Sequence, residues 1–480
     1  MLVLLGFAMI AVFMALIMTK KLTPVLALII VPTIFGLFAG AGLGIGDMVI
    51  TSMKSMASTA ALLMFAIVYF GLMIDVGLFD PLVKFILRKL GNDPAKVVMG
   101  TALLAAAVSL DGDGSTTFIL TTAAMLPVYL RLGLSPVVLT CVAGLANGTM
   151  NILPWGGPTA RAATALKLDV NDVFVPMVPS LLAGLVLVFL FAWQLGLRER
   201  RRLAVQRPEV WGMEGPGRVG PSGGRGEQRA GEQRTTAGGG VALEDSPSPV
   251  ATLAHADSMA GTALDPTRST LRPKLFWFNL ALTVGIMVLL VANVLPLPYV
   301  FMVGAAVALV VNFPRVKDQA AQLVAHAPSV VAVVSMVIAA SVLTGVLTGK
   351  IGGTTIVQEM SSWLVSIIPG DAGPFMAIIT GILSIPMTFF MSNDAFYFGV
   401  LPILSETASH YGVGAAEMAR ASITGQPFHL QSPLVPAILL LVSLANVELG
   451  DHHKLVLWRT AAISLAMLAV GVLVGAVGIG

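Results

Sequence analysis

Asp111 and Asp113 stand two residues apart in the run SLDGDGSTTF (Ser109 to Phe118), with Ser115 and Thr117 continuing the alternate spacing. Oxygen side chains at alternate positions present hard ligands to a cation, and the run opens like an EF-hand calcium loop. Such a loop needs glycine at its sixth position and glutamate at its twelfth, which here are Thr116 and Thr122, so the calcium loop fails. What survives is a cluster of oxygens suited to Mg²⁺, Ca²⁺, Na⁺ or protons, the bland alternative being a polar surface turn. The run NGTMNILPWGGPTAR (Asn147 to Arg161) follows. Arg161 offers a planar fork that fits a carboxylate, or else snorkels to headgroups. In the second half, MSNDAFYF (Met391 to Phe398) carries Ser392, Asn393 and Asp394, the last a candidate for a cation or proton.

A further island, TGQPFHLQSP (Thr424 to Pro433), supplies Gln426, Gln431 and Ser432. Together with Asn147, Asn151, Gly156, Gly157, Thr159, Arg161, Ser392 and Asn393, these are the candidate substrate-binding residues. Asp111, Asp113, Ser115 and Asp394 are the candidates for the metal. Glycine and proline at both islands imply broken helices, whose half-helix N-termini offer free N–H groups to an anion. The competing reading of the neutral groups is interhelical bonding, worth only about 0.6 kcal/mol on average. His429, alone in the second break, reads as a structural hydrogen-bonder.

These islands must be positioned by something apolar. The chain has 480 residues, 56% of them hydrophobic and 11% charged, with a mean hydropathy of +0.89. Soluble domains carry about 25% charged residues, so this is an all-α polytopic membrane protein. Ionised groups cost roughly 2.5–3.5 kcal/mol each on insertion scales, and broken backbone survives at membrane depth only where it lines a cavity or is buried. The net charge of +3 gives no footing for nucleic acid, and a single cysteine, Cys141, excludes an intramolecular disulfide. Met1 to Met18 lacks a basic leader and cleavage site and reads as a retained first span.

Spans of about 20 residues are legible at 2–18, 23–41, 56–79, 174–197, 275–294, 297–313, 328–349 and 455–478. Residues 95–131 and 372–409 are apolar but split by polar islands, which predicts re-entrant hairpins. Residues 136–165 and 413–446 read as broken spans. The order repeats at a fixed shift: Pro127 and Pro402 differ by 275 (402 − 127), as do Pro158 and Pro433 (433 − 158). The same shift pairs Asn151 with Gln426, and Asp75 with Lys350, the last two read as interfacial. Repeated discontinuous helices point to the binding site of a secondary transporter.

Residues 1–197 are then a first membrane repeat and 274–480 a second. Residues 198–273, rich in arginine and glycine, have the composition of a disordered linker. With this linker in the cytoplasm, each half crosses five times and the repeats are inverted. Lys20, Lys21, Lys84, Arg88, Lys89, Lys96, Arg131, Arg315 and Lys317 fall inside, and both termini fall outside. No HExxH, P-loop or GxSxG motif suggests an enzyme.

The runs FGLMIDVGLFDPLV (Phe70 to Val83), SLDGDGSTTF, CVAGLANGTMNILPWGGPTARAA (Cys141 to Ala163) and MSNDAFYFGVLP (Met391 to Pro402) resemble the CitMHS family of metal–citrate:proton symporters, within the wider ion-transporter superfamily. The resemblance implies a scaffold domain and a transport domain, opposed hairpins, a multi-pass protein of the plasma membrane and usually a homodimer. It implies citrate carried as a complex with a divalent ion such as Mg²⁺ or Ca²⁺, driven by protons, with no other cofactor. A sodium-coupled carrier of di- or tricarboxylates remains an alternative, as does an ion channel or exchanger without organic substrate.

Overall fold

The computed structural model describes residues 1–19, 21–91, 93–112, 114–206, 268–292 and 294–478. Asp113, Lys20 and linker residues 207–267 lie outside the described residues. Among the described residues the fold is helical apart from one two-stranded hairpin, Lys350–Ile351 with Thr354–Thr355. Gly352 and Gly353 make its tight turn at φ 63° and 96°, a backbone that side chains disfavour.

The first half runs α1 (Leu2–Met18), α2 (Pro24–Phe38), α3 (Ile45–Asp75), α4 (Asp80–Leu90), α5 (Pro94–Val108), α6 (Gly114–Leu132), α7 (Pro136–Met150), α8 (Gly157–Leu166), the short α9 (Val170–Phe174) and α10 (Val178–Gln206). The second runs α11 (Phe276–Ala292), α12 (Leu297–Asn312), α13 (Val316–Thr348), α14 (Ile356–Ile367) and α15 (Met376–Phe390). A π-helical turn (Ala395–Val400) leads into α16 (Leu401–Ser409). Then come α17 (Ala415–Ser422), α18 (Gln426–His429), α19 (Pro436–Leu444) and α20 (Leu449–Leu473). Local chemistry sets many of these boundaries. Pro24, Pro94 and Pro136 open helices, where a missing N–H costs nothing. The Asp93 side chain caps α5 by accepting from Ala95 N at 3.0 Å, and Thr355 and Gln358 form a capping box on α14.

The shift of 275 that pairs the two prolines relates whole elements. Adding it to the bounds of α1, α2, α3, α4 and α8 lands within four residues of α11, α12, α13, α14 and α19, and adding it to those of α5 and α10 lands within eight of α15 and α20. Pro127 lies inside α6, and Pro402 opens α16 just after the π-helical turn, where it cannot donate back into the preceding turn. The chain thus consists of two inverted repeats of five crossings, each with a re-entrant hairpin and a broken helix. Helix α5, at 15 residues, rises about 22 Å, short of the roughly 30 Å of hydrocarbon. Seven helical stretches are long and apolar enough to cross a membrane, and four shorter apolar helices supplement them.

Elements on a pseudo-twofold axis touch their own counterparts. Helix α3 packs along α13, and α10 along α20. Helices α1, α2, α3, α11, α12 and α13 make the scaffold. The hairpins, broken helices, α10 and α20 make the body beside it. Helices α4 and α14 are amphipathic arms: Val83 and Ile86 are buried on α4 while Lys84 and Arg88 are exposed.

Several boundaries differ from expectation for physical reasons. Helix α3 starts at Ile45 rather than 56, because Asp47 sits in its first turn, where a carboxylate suits the helix dipole. Helix α20 begins at Leu449 rather than 455, because His452 in its first turns is buried against Thr140 and Gln431, while Asp451 and Lys454 stay exposed. Helix α10 extends nine residues into the stretch read as linker, 198–206, and Arg268–Arg272 are held at the far end. Arg268 bonds both carboxylate oxygens of Asp80 at 3.0 Å and the Asp75 carbonyl at 3.0 Å, and Arg272 N donates to Val76 O at 3.1 Å. Asp75 is not simply interfacial. Its carboxylate lies 3.0 Å from Nε2 of the buried His326 on α13, whose ring fills the space that Gly71 leaves open.

The orientation is open to a direct test. Asp172 and Arg315 are both exposed, and Cys141 is buried. In a Cys141→Ala background, cysteine at Asp172 should react with an impermeant thiol reagent from outside intact cells, and cysteine at Arg315 should not. The reverse pattern would overturn the inside–outside reading.

Candidate functional site

The first hairpin tip is built by Ser109, Asp111 and Gly112 between α5 and α6. Gly112 adopts φ +77°, and a Cβ there would meet Trp155 Cδ1 at 2.9 Å, so the turn needs glycine twice over. Trp155 lies in the break between α7 and α8, and its indole N–H donates to Leu110 O at 2.8 Å. The ring packs on Phe70 and Phe301 of the scaffold, with centroids 5.0 and 5.2 Å away. Ser109 Oγ donates to Ala105 O at 2.6 Å and accepts from Asn147 Nδ2 at 2.9 Å and Thr117 Oγ1 at 3.3 Å. Tip and break of the first repeat are therefore one bonded unit leaning on an aromatic wedge. Asp111 is buried here, and Ser115 is partly exposed one turn on.

The second tip is bonded across to the first repeat. Arg161 Nε donates to Asp394 Oδ1 at 2.6 Å, an ion pair between α8 and the second hairpin. The Arg161 guanidinium lies over Gly157, where any Cβ would collide with Nη1. Gln426, fully buried, gathers the rest. Its Oε1 accepts from Asn151 Nδ2 at 3.1 Å and Asn393 Nδ2 at 3.4 Å. Its Nε2 donates to Asn393 Oδ1 at 3.1 Å and to Tyr397 OH at 2.8 Å. Ser392 Oγ accepts from Ala395 N at 3.2 Å, capping the π-helical turn.

Burial sorts the sequence candidates. Asn151, Gly157, Arg161, Ser392, Asn393 and Ser115 keep accessible surface; Asn147, Gly156, Thr159, Asp394, Gln426, Gln431 and Ser432 are buried. The buried set is largely bonded within the protein. Thr159 Oγ1 donates to Ile152 O at 2.6 Å, and Gly156 N to Leu153 O at 2.7 Å, fixing the bend of the first break. Ser432 Oγ donates to Phe389 O at 2.5 Å. Gln431 Nε2 donates to Gly144 O and Pro427 O, both at 3.1 Å, and its Oε1 meets His452 Nε2 at 3.0 Å. Both amide hydrogens and the carbonyl of Gln431 are thus engaged. His429 Nδ1 lies 2.5 Å from Thr388 O, an acceptor, as a structural histidine would.

Residue type alone assigns Arg161 to a carboxylate and Asp394 to a cation; the structure bonds the two to each other. A neutralised Asp394 offers little to a metal while that pair stands. Among the described residues no three His, Cys, Asp or Glu side chains come together to hold a metal ion. A divalent ion carried with its own chelating carboxylates needs no such cage.

Sequence reasoning missed Trp155, Tyr397, His452 and the Asp75–His326 pair. The indole of Trp155 stood inside a quoted motif, and aromatic residues with a polar handle seek a partner when buried. That was the available signal.

Gly157→Ala isolates one contact. Because the colliding atom is the far end of a flexible side chain, Arg161 should swing aside and the fold persist. Transport in membranes should then show a raised apparent KM with normal membrane abundance. An unchanged KM would mean that the guanidinium position is immaterial.

The model of the CitMHS citrate transporter family matches residues 2–425. A "Citrate transporter" of Bacillus subtilis (strain 168) is 45% identical over 476 residues, covering 99% of both chains. A "Mg(2+)/citrate complex secondary transporter" of the same organism is 43% identical over 481 residues, covering 100% of both. Among solved structures, the Alcanivorax borkumensis YdaH transporter, described as having an unusual topology, shares 14% identity over 88% of this chain and 86% of that one, with a TM-score of 0.42. With a family model spanning most of the chain, and relatives named as transporters matching nearly end to end, this multi-pass membrane protein belongs to the CitMHS citrate transporter family.

Proposed function

We propose that the chain takes up citrate as a complex with a divalent metal ion by proton symport, and that the Arg161–Asp394 pair is its exchange point. The observation that carries this reading is the 2.6 Å ion pair joining the first repeat's broken helix to the second repeat's hairpin tip. Free citrate carries about three negative charges near neutral pH, and burying each without a partner is heavily penalised. Chelating a divalent ion removes two of them, leaving a near-monoanion matched to one arginine and the N–H groups at the start of α8. The substrate carboxylate displaces Asp394 from Arg161, and the displaced carboxylate takes the coupling proton. Asp111 and Ser115 of the first tip are assigned to the metal side of the complex, and Asp113, from its place in the sequence, to the same role. The relative named as a Mg(2+)/citrate complex transporter supports the metal.

In this reading the protein sits in the plasma membrane as a homodimer of multi-pass protomers. Residues 1–197 and 274–480 are the membrane repeats, the linker is cytoplasmic and both termini are extracytoplasmic. The test is uptake of labelled citrate into proteoliposomes against a panel of divalent ions, with imposed proton or sodium gradients. Saturable uptake that requires a divalent ion and a proton gradient is expected. Uptake of metal-free citrate driven by sodium alone would replace this reading with a sodium-coupled carboxylate carrier. Metal or ion flux without any citrate dependence would make it a channel or exchanger.

A further inference from the structure

A groove of about 910 Å³ opens between the arm α4, the first hairpin and the scaffold helix α11. Its walls include Phe79, Leu82 and Phe85 from the arm side, Leu110 from the hairpin tip, and Val284 and Met287 from α11. The hydroxyl of Thr283 is the one polar side chain among the lining residues, and it is already spent. It lies 2.7 Å from Tyr69 OH and donates to Asn279 O at 2.9 Å. A cavity without available hydrogen-bonding groups rejects a carboxylate and accepts hydrocarbon. It is not a second citrate site.

The occupant is set by what flanks it. Lining positions Leu280 to Ala292 run along about 18 Å of α11, close to the depth of one leaflet. Val284 and Val288 face outward, about half exposed, as lipid-facing residues do. On α4, Lys84 and Arg88 are exposed one turn apart, on the same side of the helix as the groove residues Pro81 and Phe85. The acidic residue of that arm, Asp80, is neutralised by Arg268. A hydrocarbon slot with two cations at its rim, neither ion-paired among the described residues, is complementary to an anionic phospholipid.

We infer that this groove binds one anionic phospholipid, its acyl chain in the slot and its headgroup on Lys84 and Arg88. The site also touches the transport machinery. Leu110 lines the slot, and its carbonyl holds the Trp155 indole that pins the first hairpin tip to the first break. Phe70 lines it too and packs against that indole, with ring centroids 5.0 Å apart. Occupancy therefore braces the hairpin tip, and removal of the lipid loosens it.

The probe is phosphatidylglycerol, with phosphatidylcholine as the uncharged comparison. The detergent-purified full chain, analysed by native mass spectrometry, should retain phosphatidylglycerol in preference to phosphatidylcholine. Lys84→Glu with Arg88→Glu should abolish that preference, and Val284→Trp, which fills the slot but leaves the cations, should lower retention of both lipids. In vesicles, phosphatidylglycerol should raise citrate uptake by wild type severalfold and leave both variants at their phosphatidylcholine rate. Retention does not depend on what is transported, so it can succeed where the citrate reading fails. If both variants keep wild-type retention and wild-type stimulation, the inference is wrong. If cysteine at Val284 instead cross-links to its own copy, the groove belongs to an interface between protomers and the inference is equally wrong.

Discussion

Arg161→Lys should raise the apparent KM for citrate about 10- to 150-fold, the equivalent of losing about 1.5–3 kcal/mol from a hydrogen bond to a charged group. Lysine keeps the charge, so long-range attraction persists and the loss isolates geometry. The native guanidinium spends Nε on Asp394 while its terminal Nη1 lies over Gly157 at the start of α8. A carboxylate arriving there meets a planar fork; the lysine ammonium offers a point charge on a shorter lever. Initial rates across citrate concentrations, normalised to protein in the membrane, give the answer. A KM within twofold of wild type would remove Arg161 from substrate recognition.

Asp394→Asn should do the opposite to affinity and more to coupling. Asparagine keeps the shape of the side chain but no longer holds Arg161 as an anion. Citrate then has no competitor for the guanidinium, and the apparent KM in citrate exchange should fall about 10-fold, equivalent to about 1.4 kcal/mol. Proton-driven accumulation should collapse, because the group that exchanges a proton for the arginine is gone. Exchange at equal pH should continue. The two variants therefore move KM in opposite directions, which a merely structural ion pair does not predict. Loss of one partner from a structural pair would lower abundance or turnover in both. A pH-driven accumulation equal to wild type in Asp394→Asn would sink the assignment.

How much of this was legible in the chain depended on whether a feature was local. The hairpins and breaks could be read because glycine, proline and ionised residues interrupting apolar runs have few explanations in a bilayer. The 275-residue shift was legible because duplication preserves spacing even where identities drift. The Arg161–Asp394 bond was not, since 233 residues separate its partners and each alone suggests a different ligand. The start of α20 was hidden by its own polarity. His452 lies ahead of the span read at 455–478, yet it is buried because Gln431 and Thr140 lie 3.0 and 3.1 Å from its two ring nitrogens. The arms α4 and α14 escaped because a short amphipathic helix is less apolar than a span, and the reading searched for spans.

The bond between Asn151 and Gln426 carries a consequence for how such a chain can arise. The two residues occupy equivalent positions in the repeats and touch at 3.1 Å. A side chain on a twofold axis faces a copy of itself, so in an ancestor of two identical halves it had to be its own partner. A carboxamide can be, since it donates and accepts; a carboxylate or an ammonium facing its twin only repels. Once the halves are fused, identity is no longer required. Asn and Gln differ by one methylene, and the longer arm reaches Asn393 and Tyr397 on its own side while the shorter does not. A meeting point that began symmetric has become lopsided, which gives the two hairpins unequal holds on whatever lies between them.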